Sequence, residues 1–403
     1  MIPAIVAVVA IPVFAQLSLT DAKRLATENS VDVQMATATV RQREATLDLV
    51  RGTAIPHIIG DYALAPQANA ANTGTVEQHY FAVGAGVSIN DLITSSSSVR
   101  AAAAELLAAQ RSADAAGLAA RENAVRLYFA ALQAIAIEGL RGENLRGAVR
   151  DRSAAGLRAR SGESPQLDVV RADVTLAQAN ADLVRARSAR ADAIDALASA
   201  TAVNPELLTT LTRAAVMTRP PADIALSVKR ALAMRPELAA LLATLKARNA
   251  DVASASRSAI PTATIQGGYQ SGVDTGIPVR GAQVAAHLDI PLSSGSGARV
   301  SSAEAQVTIA YAQLVDERRR ITLEVAAAVR DAAAQEVAAS AAETAHDEAR
   351  RALESVEIGY REGASSSLDL AEARRLYAQA AVDSLVAEYQ SATALAIVDV
   401  IVP

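Results

Sequence analysis

The chain is written twice. Residues 22–56, AKRLATENSVDVQMATATVRQREATLDLVRGTAIP, and residues 228–261, VKRALAMRPELAALLATLKARNADVASASRSAIP, run to nearly the same length and both close on Ile-Pro. The offset of about 205 residues is half the protein, and later landmarks keep it approximately. FAVGAGVSIN (81–90) answers VAAHLDIPL (284–292), and SGESPQLDVVRA (161–172) answers EGASSSLDLAEA (362–373). The segment VNPELLTTLTRAAVMTRPPAD, residues 203–223, carries Pro205, Pro220 and Pro221 and reads as the linker between halves. The expected organisation is therefore a first repeat over 16–202, a linker over 203–223 and a second repeat over 224–403.

Each repeat reads as helix, two strands and two very long helices. There is no Pro between 67 and 164, and neither Gly nor Pro from 298 to 358. A helix of about 60 residues is roughly 90 Å long, far beyond the size of a globular domain. Leu118, Val125 and Leu132 in one copy, and Leu314 and Ile321 in the other, recur at heptad spacing, so these helices are expected to pack as coiled coils. Their breaks fall at Gly162–Pro165 and Gly363–Ser367, where the chain must turn into a return helix. Composition agrees: 51% of residues are hydrophobic but only 3% are aromatic, with no Trp and three Phe. Much of the apolar content is alanine, the strongest helix former and a small one, which suits close helix packing better than a thick core.

The opening helix of each repeat follows a capping residue, Thr20 or Asp223, and is broken by Asn29-Ser30 in one copy and Pro236 in the other. After it the apolar period changes from helical to two. Ala263, Ile265, Gly267 and Tyr269 alternate with Thr262, Thr264 and Gln266, and Val284, Ala286, Leu288 and Ile290 alternate with Ala285, His287 and Asp289. In the first copy Phe81, Val83, Ala85, Val87 and Ile89 alternate with Ala82, Gly84, Gly86 and Ser88. Strands are thus expected at about 57–65, 81–90, 262–271 and 283–292, each with one apolar and one small or polar face. Gly267-Gly268 reads as a bend. Such strands suit the wall of a transmembrane barrel, but four cannot close one, and open edges are not tolerated in lipid. Self-association follows if the strands lie in a membrane.

Other features narrow the function. The net charge of −5 argues against nucleic acid as a partner. The absence of Cys excludes disulfides, thiol chemistry and a lipid-bearing N-terminal Cys. Residues 1–15 form a short apolar run ending Val13-Phe14-Ala15, the small-residue pattern of a signal-peptidase site, although no Lys or Arg precedes it, as if the start were truncated. The four His, at 57, 79, 287 and 346, show no ligand spacing, so neither metal nor cofactor is expected. No phosphate loop and no nucleophile elbow appears, and the chain does not read as an enzyme. Tyr62, Tyr80, Phe81 and Tyr269 lie in or beside the strands, as residues of a lipid interface do.

The order of elements, the duplication, and the motifs LSLTDAKRLATENS (17–30), SAIPTATIQGGY (258–269), HLDIPLSSGSGARVSSAEAQ (287–306) and GYREGASSSLDLAEARRLYAQA (359–380) resemble the TolC-like outer-membrane efflux proteins. The resemblance covers essentially the whole chain after residue 15. It implies a mainly α fold with a small β part. Three chains would join into an α-barrel tube crossing the periplasm and a 12-stranded β-barrel in the lipid of the outer membrane. It also implies a periplasmic adaptor and an inner-membrane transporter as partners, and export of small molecules or proteins. The other class of reading is a soluble periplasmic coiled-coil scaffold or adaptor, which has no need of strands with an apolar face of bilayer length.

By the same resemblance Asp369 and Glu372 fall where acids ring the periplasmic end of the pore, and Tyr360 matches a tyrosine that helps tie the closed state. The arginine of those ties corresponds to position 365, where this chain has Ser365. The first repeat offers Asp168 in register with Asp369, but Arg171 in register with Glu372. The residue types alone allow a plainer role for Asp369. A carboxylate in a first helical turn stabilises the helix N-terminus by up to about 1 kcal/mol. Ser164 and Pro165 suit N-cap and first helical position, and the register then makes Ser365 the corresponding cap. Gly162, Pro165, Gly363 and Ser365 are expected in the two tip turns.

Overall fold

The structure is a computed structural model describing residues 17–52, 55, 57–68, 75–208, 211–212, 219–257, 262–274, 277–289 and 295–402. The expected signal segment lies outside the described residues. Each half supplies the same series. The first has α1 (Leu19–Asn29), α2 (Val31–Gly52), β1 (His57–Ala68), β2 (Thr75–Ser88), α3 (Ile89–Arg160) and α4 (Gln166–Thr201). The second has α5 (Ile224–Met234), α6 (Pro236–Arg257), β3 (Thr262–Asp274), β4 (Ile277–Asp289), α7 (Gly295–Arg361) and α8 (Ser367–Ile401). The short helices have 11 and 22 residues in both halves, and the long pairs have 72 and 36 residues against 67 and 35.

The repeat is not the compact unit. One unit gathers the N-terminal residues to Gln34 with Ala116–Arg235 and Arg320–Pro403; the other gathers Met35–Ala115 and Pro236–Arg319. Each therefore draws on both repeats, because neither copy buries its apolar surface alone. In the first unit a stripe at i, i+4, i+7 is fully buried in both copies: Ala124, Tyr128 and Ala131 on α3, Val325, Val329 and Ala332 on α7. The expected heptad residues Leu118, Val125, Leu132, Leu314 and Ile321 are all buried as well. Tyr128 is the one large aromatic of the stripe, and its hydroxyl lies 2.9 Å from the Leu17 carbonyl oxygen and 2.5 Å from that of Thr212. Burial pushes this phenol up to about 12, so it stays a neutral donor.

The segment expected as a linker is partly fixed. Leu211 pairs with Leu17 in a parallel bridge, the Thr212 N–H donates to the Leu17 carbonyl at 3.1 Å, and Leu208 is buried. The N-cap of α1 is Ser18 and not Thr20: its hydroxyl accepts from the Asp21 N–H at 3.1 Å, which leaves Thr20 inside the first turn. Asp223 caps α5 as expected, accepting from the Leu226 N–H at 3.0 Å. Helix α8 is the one helix among the described residues long and apolar enough to cross a membrane, but its C-terminal half, including Leu395–Val398, Val400 and Ile401, is buried in protein.

In the second unit the strands form one antiparallel sheet in the order β1-β2-β3-β4. They run beyond the expected ranges at their hairpin ends, since the ladder continues into polar residues such as Gln78 and Asp274, where apolar alternation gives no signal. At the other end β2 stops at Ser88, short of the expected 90, where α3 begins, while β4 is described to Asp289 and the expected 290–292 lie outside the described residues. The register sorts the two faces. Ile58, Tyr62, Phe81, Val83, Ile265, Tyr269, Val284 and Leu288 share one, and all of them are exposed. Ala82, Gly84, Gly86, Thr264, Gln266 and Gln270 share the other.

The β2–β3 ladder joins the repeats at Gly84 opposite Gly268. A Cβ on Gly268 would lie 2.5 Å from the Val83 carbonyl oxygen, against backbone that cannot give way, whereas one on Gly267 meets nothing within 4 Å. The expected bend is thus a close backbone approach, shared by Gly84 and Gly268 and not by Gly267. Gly268→Val should destabilise the folded sheet by about 1–3 kcal/mol, as overpacking does. Gly267→Ala should leave the thermal midpoint of the purified protein within experimental scatter of wild type.

Candidate functional site: the helical tips

The four long helices meet in two turns that are conformational twins. After α3, the N–H groups of Glu163 and Ser164 donate to the Arg158 carbonyl at 2.8 and 3.3 Å; after α7, those of Ala364 and Ser365 donate to the Gly359 carbonyl at 2.7 and 3.0 Å. Gly162 (φ 78°) and Gly363 (φ 79°) take the left-handed conformation at the same point of each turn, which is why glycine stands there. The chemistry of the two turns then diverges.

The cap after the second turn is Ser366, not Ser365. The Ser366 hydroxyl accepts from the Asp369 N–H at 3.1 Å, and Asp369 Oδ2 accepts from the Ser366 N–H and hydroxyl at 2.9 and 2.7 Å, closing a capping box. Ser365 instead packs inside the turn, where a Cβ on Gly359 would meet its Oγ at 2.5 Å. The first turn has no such box. Pro165 occupies the N-cap without a side-chain hydrogen bond, Ser164 Oγ is buried without a partner, and the Asp168 N–H donates to the Pro165 carbonyl at 3.0 Å. Proline has no hydroxyl to offer, so alignment of the copies misplaces both caps by one residue.

The acids singled out from the sequence all have partners within the chain. The hydrogen bonds from the Ser366 hydroxyl and N–H hold the Asp369 carboxyl below its ordinary value, and all of them fall on Oδ2. Glu372 accepts from Arg375 Nε and Nη2 at 2.9 and 2.7 Å, and this bidentate pair likewise lowers its carboxyl. Asp168 Oδ1 accepts from the Ser367 hydroxyl at 3.1 Å and lies 3.7 Å from Arg171. That bond joins the first turn of α4 to the first turn of α8.

Tyr360 has an arginine partner, but from the other repeat. Arg158 Nη1 donates to the Tyr360 hydroxyl at 2.7 Å, and its guanidinium carbon sits 5.3 Å from the ring centroid. Position 158 is the register mate of Gly359, so comparison of the copies gives no hint of it, and only the packing of α3 beside α7 brings it to the tyrosine. Deeper in, Arg374 on α8 reaches Asp151 on α3 at 2.5 Å and Glu357 on α7 at 3.0 Å. The tips are thus tied by two direct bonds, Arg158–Tyr360 and Ser367–Asp168, and by the Arg374 bridge. Among the described residues no group of three His, Asp or Glu could hold a metal ion.

A profile of the outer membrane efflux protein family matches residues 23–203 and 227–400. The fold resembles the CmeC outer membrane channel of Campylobacter jejuni, at 20% identity, TM-score 0.82, over 95% of this chain and 85% of that one. It also resembles the outer membrane protein VceC of Vibrio cholerae, at 17% identity, TM-score 0.81, over 95% of both chains. For the open state of the MtrE outer membrane channel of Neisseria gonorrhoeae the values are 19%, 0.77, 95% and 88%. Comparison with curated protein sequences gives no match.

The capping box predicts a pH response. Because the folded-state carboxyl of Asp369 lies below its ordinary 3.8, its contribution is complete above that value and is lost as pH falls through the lowered one. Hydrogen exchange at the start of α8, corrected for intrinsic rates, should accelerate below about pH 4. Asp369→Asn should remove this pH dependence.

Proposed function

Because the chain belongs to the outer membrane efflux protein family, we propose that it is the outer-membrane export channel of a tripartite transport system. Three copies would join their four-stranded sheets edge to edge into a 12-stranded barrel, with α3, α4, α7 and α8 forming a helical tube in the periplasm. A periplasmic adaptor and an inner-membrane transporter would load small molecules or protein into that tube. The observation that carries this reading is the sheet: its apolar face is exposed, and β1 and β4 each have one neighbour among the described strands. In lipid, open ladder edges leave backbone groups unsatisfied, and closure with further copies removes them. A soluble scaffold would instead present this face to water.

The pore-gate reading of Asp369, Glu372 and Asp168 belongs to the same proposal. Threefold symmetry gathers three copies of each acid around one axis, where converging carboxylates attract cations. Asp369 suits this best, since its cap occupies only Oδ2. Tyr360, through Arg158, is proposed to hold the gate closed, and the Gly162–Pro165 and Gly363–Ser365 turns form its rim.

Purified protein reconstituted in a planar bilayer should give conductance; protein that stays soluble without detergent and conducts nothing would sink the channel reading. Replacing both Asp369 and Glu372 by Ala should lower cation preference, and unchanged selectivity would leave these acids as capping and surface-pairing residues only. Arg158→Ala and Tyr360→Phe each remove the exposed hydrogen bond between them, a weak tie of less than about 1 kcal/mol. Both should raise single-channel open probability, and equal effects of the single and double variants would show that the two act through one contact.

A further inference from the structure

The apolar face of the sheet carries a single charge in its central rows. Register places Tyr62 opposite Phe81, Phe81 opposite Ser271 and Ser271 opposite Arg280, so these four form one row across all four strands. Tyr62 and Phe81 are 71% and 54% exposed, and Arg280 is exposed with them. No carboxylate of the described residues pairs with Arg280. The rows on the helix side are Gly60, Val83, Tyr269 and Ala282, then Ile58, Ala85, Gly267 and Val284, and the face ends at Ala263 opposite Leu288 with no further charge.

From Arg280 to Leu288 the strand advances roughly 27 Å, or about 20 Å along the membrane normal at the usual barrel tilt, close to the height of an apolar barrel band. Beyond Arg280 the face has the row Leu64, His79, Val273 and Pro278 and then Glu77, so Arg280 stands near one edge of that band. An arginine is costly at the bilayer midplane and nearly free at an interface, where its guanidinium reaches the headgroups and forks onto phosphate oxygens. The edge concerned lies toward the hairpin ends, away from the helices. If the helices are periplasmic, this is the outer leaflet.

We propose that Arg280, with Tyr62 and Phe81 in its row, binds the phosphate of a phosphorylated glycolipid of the outer leaflet, of the lipid A class. The two rings supply amphipathic surface at headgroup depth, and the guanidinium supplies the charge that complements the phosphate. The inference rests on the outer-membrane channel reading.

The test is native mass spectrometry of the full chain in detergent, titrated separately with lipid A, with lipid A stripped of its phosphates and with phosphatidylglycerol. Wild type should bind lipid A about tenfold more tightly than the stripped form, which is one charge-assisted contact's worth. Arg280→Gln should lose that difference, Arg280→Lys should keep part of it, and Arg330→Gln, on exposed α7 surface, should keep all of it. Equal binding of the stripped lipid by wild type overturns the proposal, as does binding of phosphatidylglycerol as tight as that of lipid A. An Arg280→Gln protein that conducts like wild type yet keeps its preference for the phosphates overturns the role of Arg280 alone. A wild type without conductance overturns the channel reading itself.

Discussion

Everything in the β unit depends on the approach of two backbones, Gly84 and Gly268, across the β2–β3 ladder. Among the described residues this ladder is the one place where a strand of the first repeat bonds to a strand of the second, and it fuses two hairpins into a four-stranded sheet. A two-stranded hairpin is marginal in water and worse in lipid, where each unpaired backbone group is costly. Side chains at the crossing would hold the strands apart, as the near contact with the Val83 carbonyl indicates. The duplication thus does more than double the length. It makes each copy complete the other.

The helical unit follows the same logic with different means. Alanine-rich stripes bring helices close, and the few larger side chains among them set register. Between the tips, where Leu157, Leu167 and Leu368 stay exposed, polar contacts take over: Arg158 with Tyr360, Asp168 with Ser367, and Arg374 bridging Asp151 and Glu357. These contacts are exposed or half-buried, and polar contacts so close to water contribute little each. A set of weak ties at the end of long helices suits a part that has to change shape.

Much of this is legible in the sequence, for identifiable reasons. The repeat fixes the order of elements, the absence of Gly and Pro exposes the long helices, and period-two alternation sorts the two faces of the sheet. What escapes is of three kinds. Strand ends at Asp274 and Thr75 escape because the ladder continues without an apolar pattern. The caps escape by one residue, at Ser18 for Thr20 and Ser366 for Ser365, because neighbouring hydroxyls offer the same chemistry and only backbone geometry chooses between them. Arg158 escapes because its partner stands 202 residues away, and no local spacing can announce such a contact.

The bridge between Leu17 and Leu211, sealed by the Tyr128 hydroxyl, sets an order of events in the making of the protein. Leu17 finds its partner only after almost two hundred more residues have been added and α3 has formed to present its tyrosine. Closing so long a loop carries a large entropic cost before any contact rewards it. The N-terminal bridge is thus a late arrival, the latch of a folding sequence that begins in the helices.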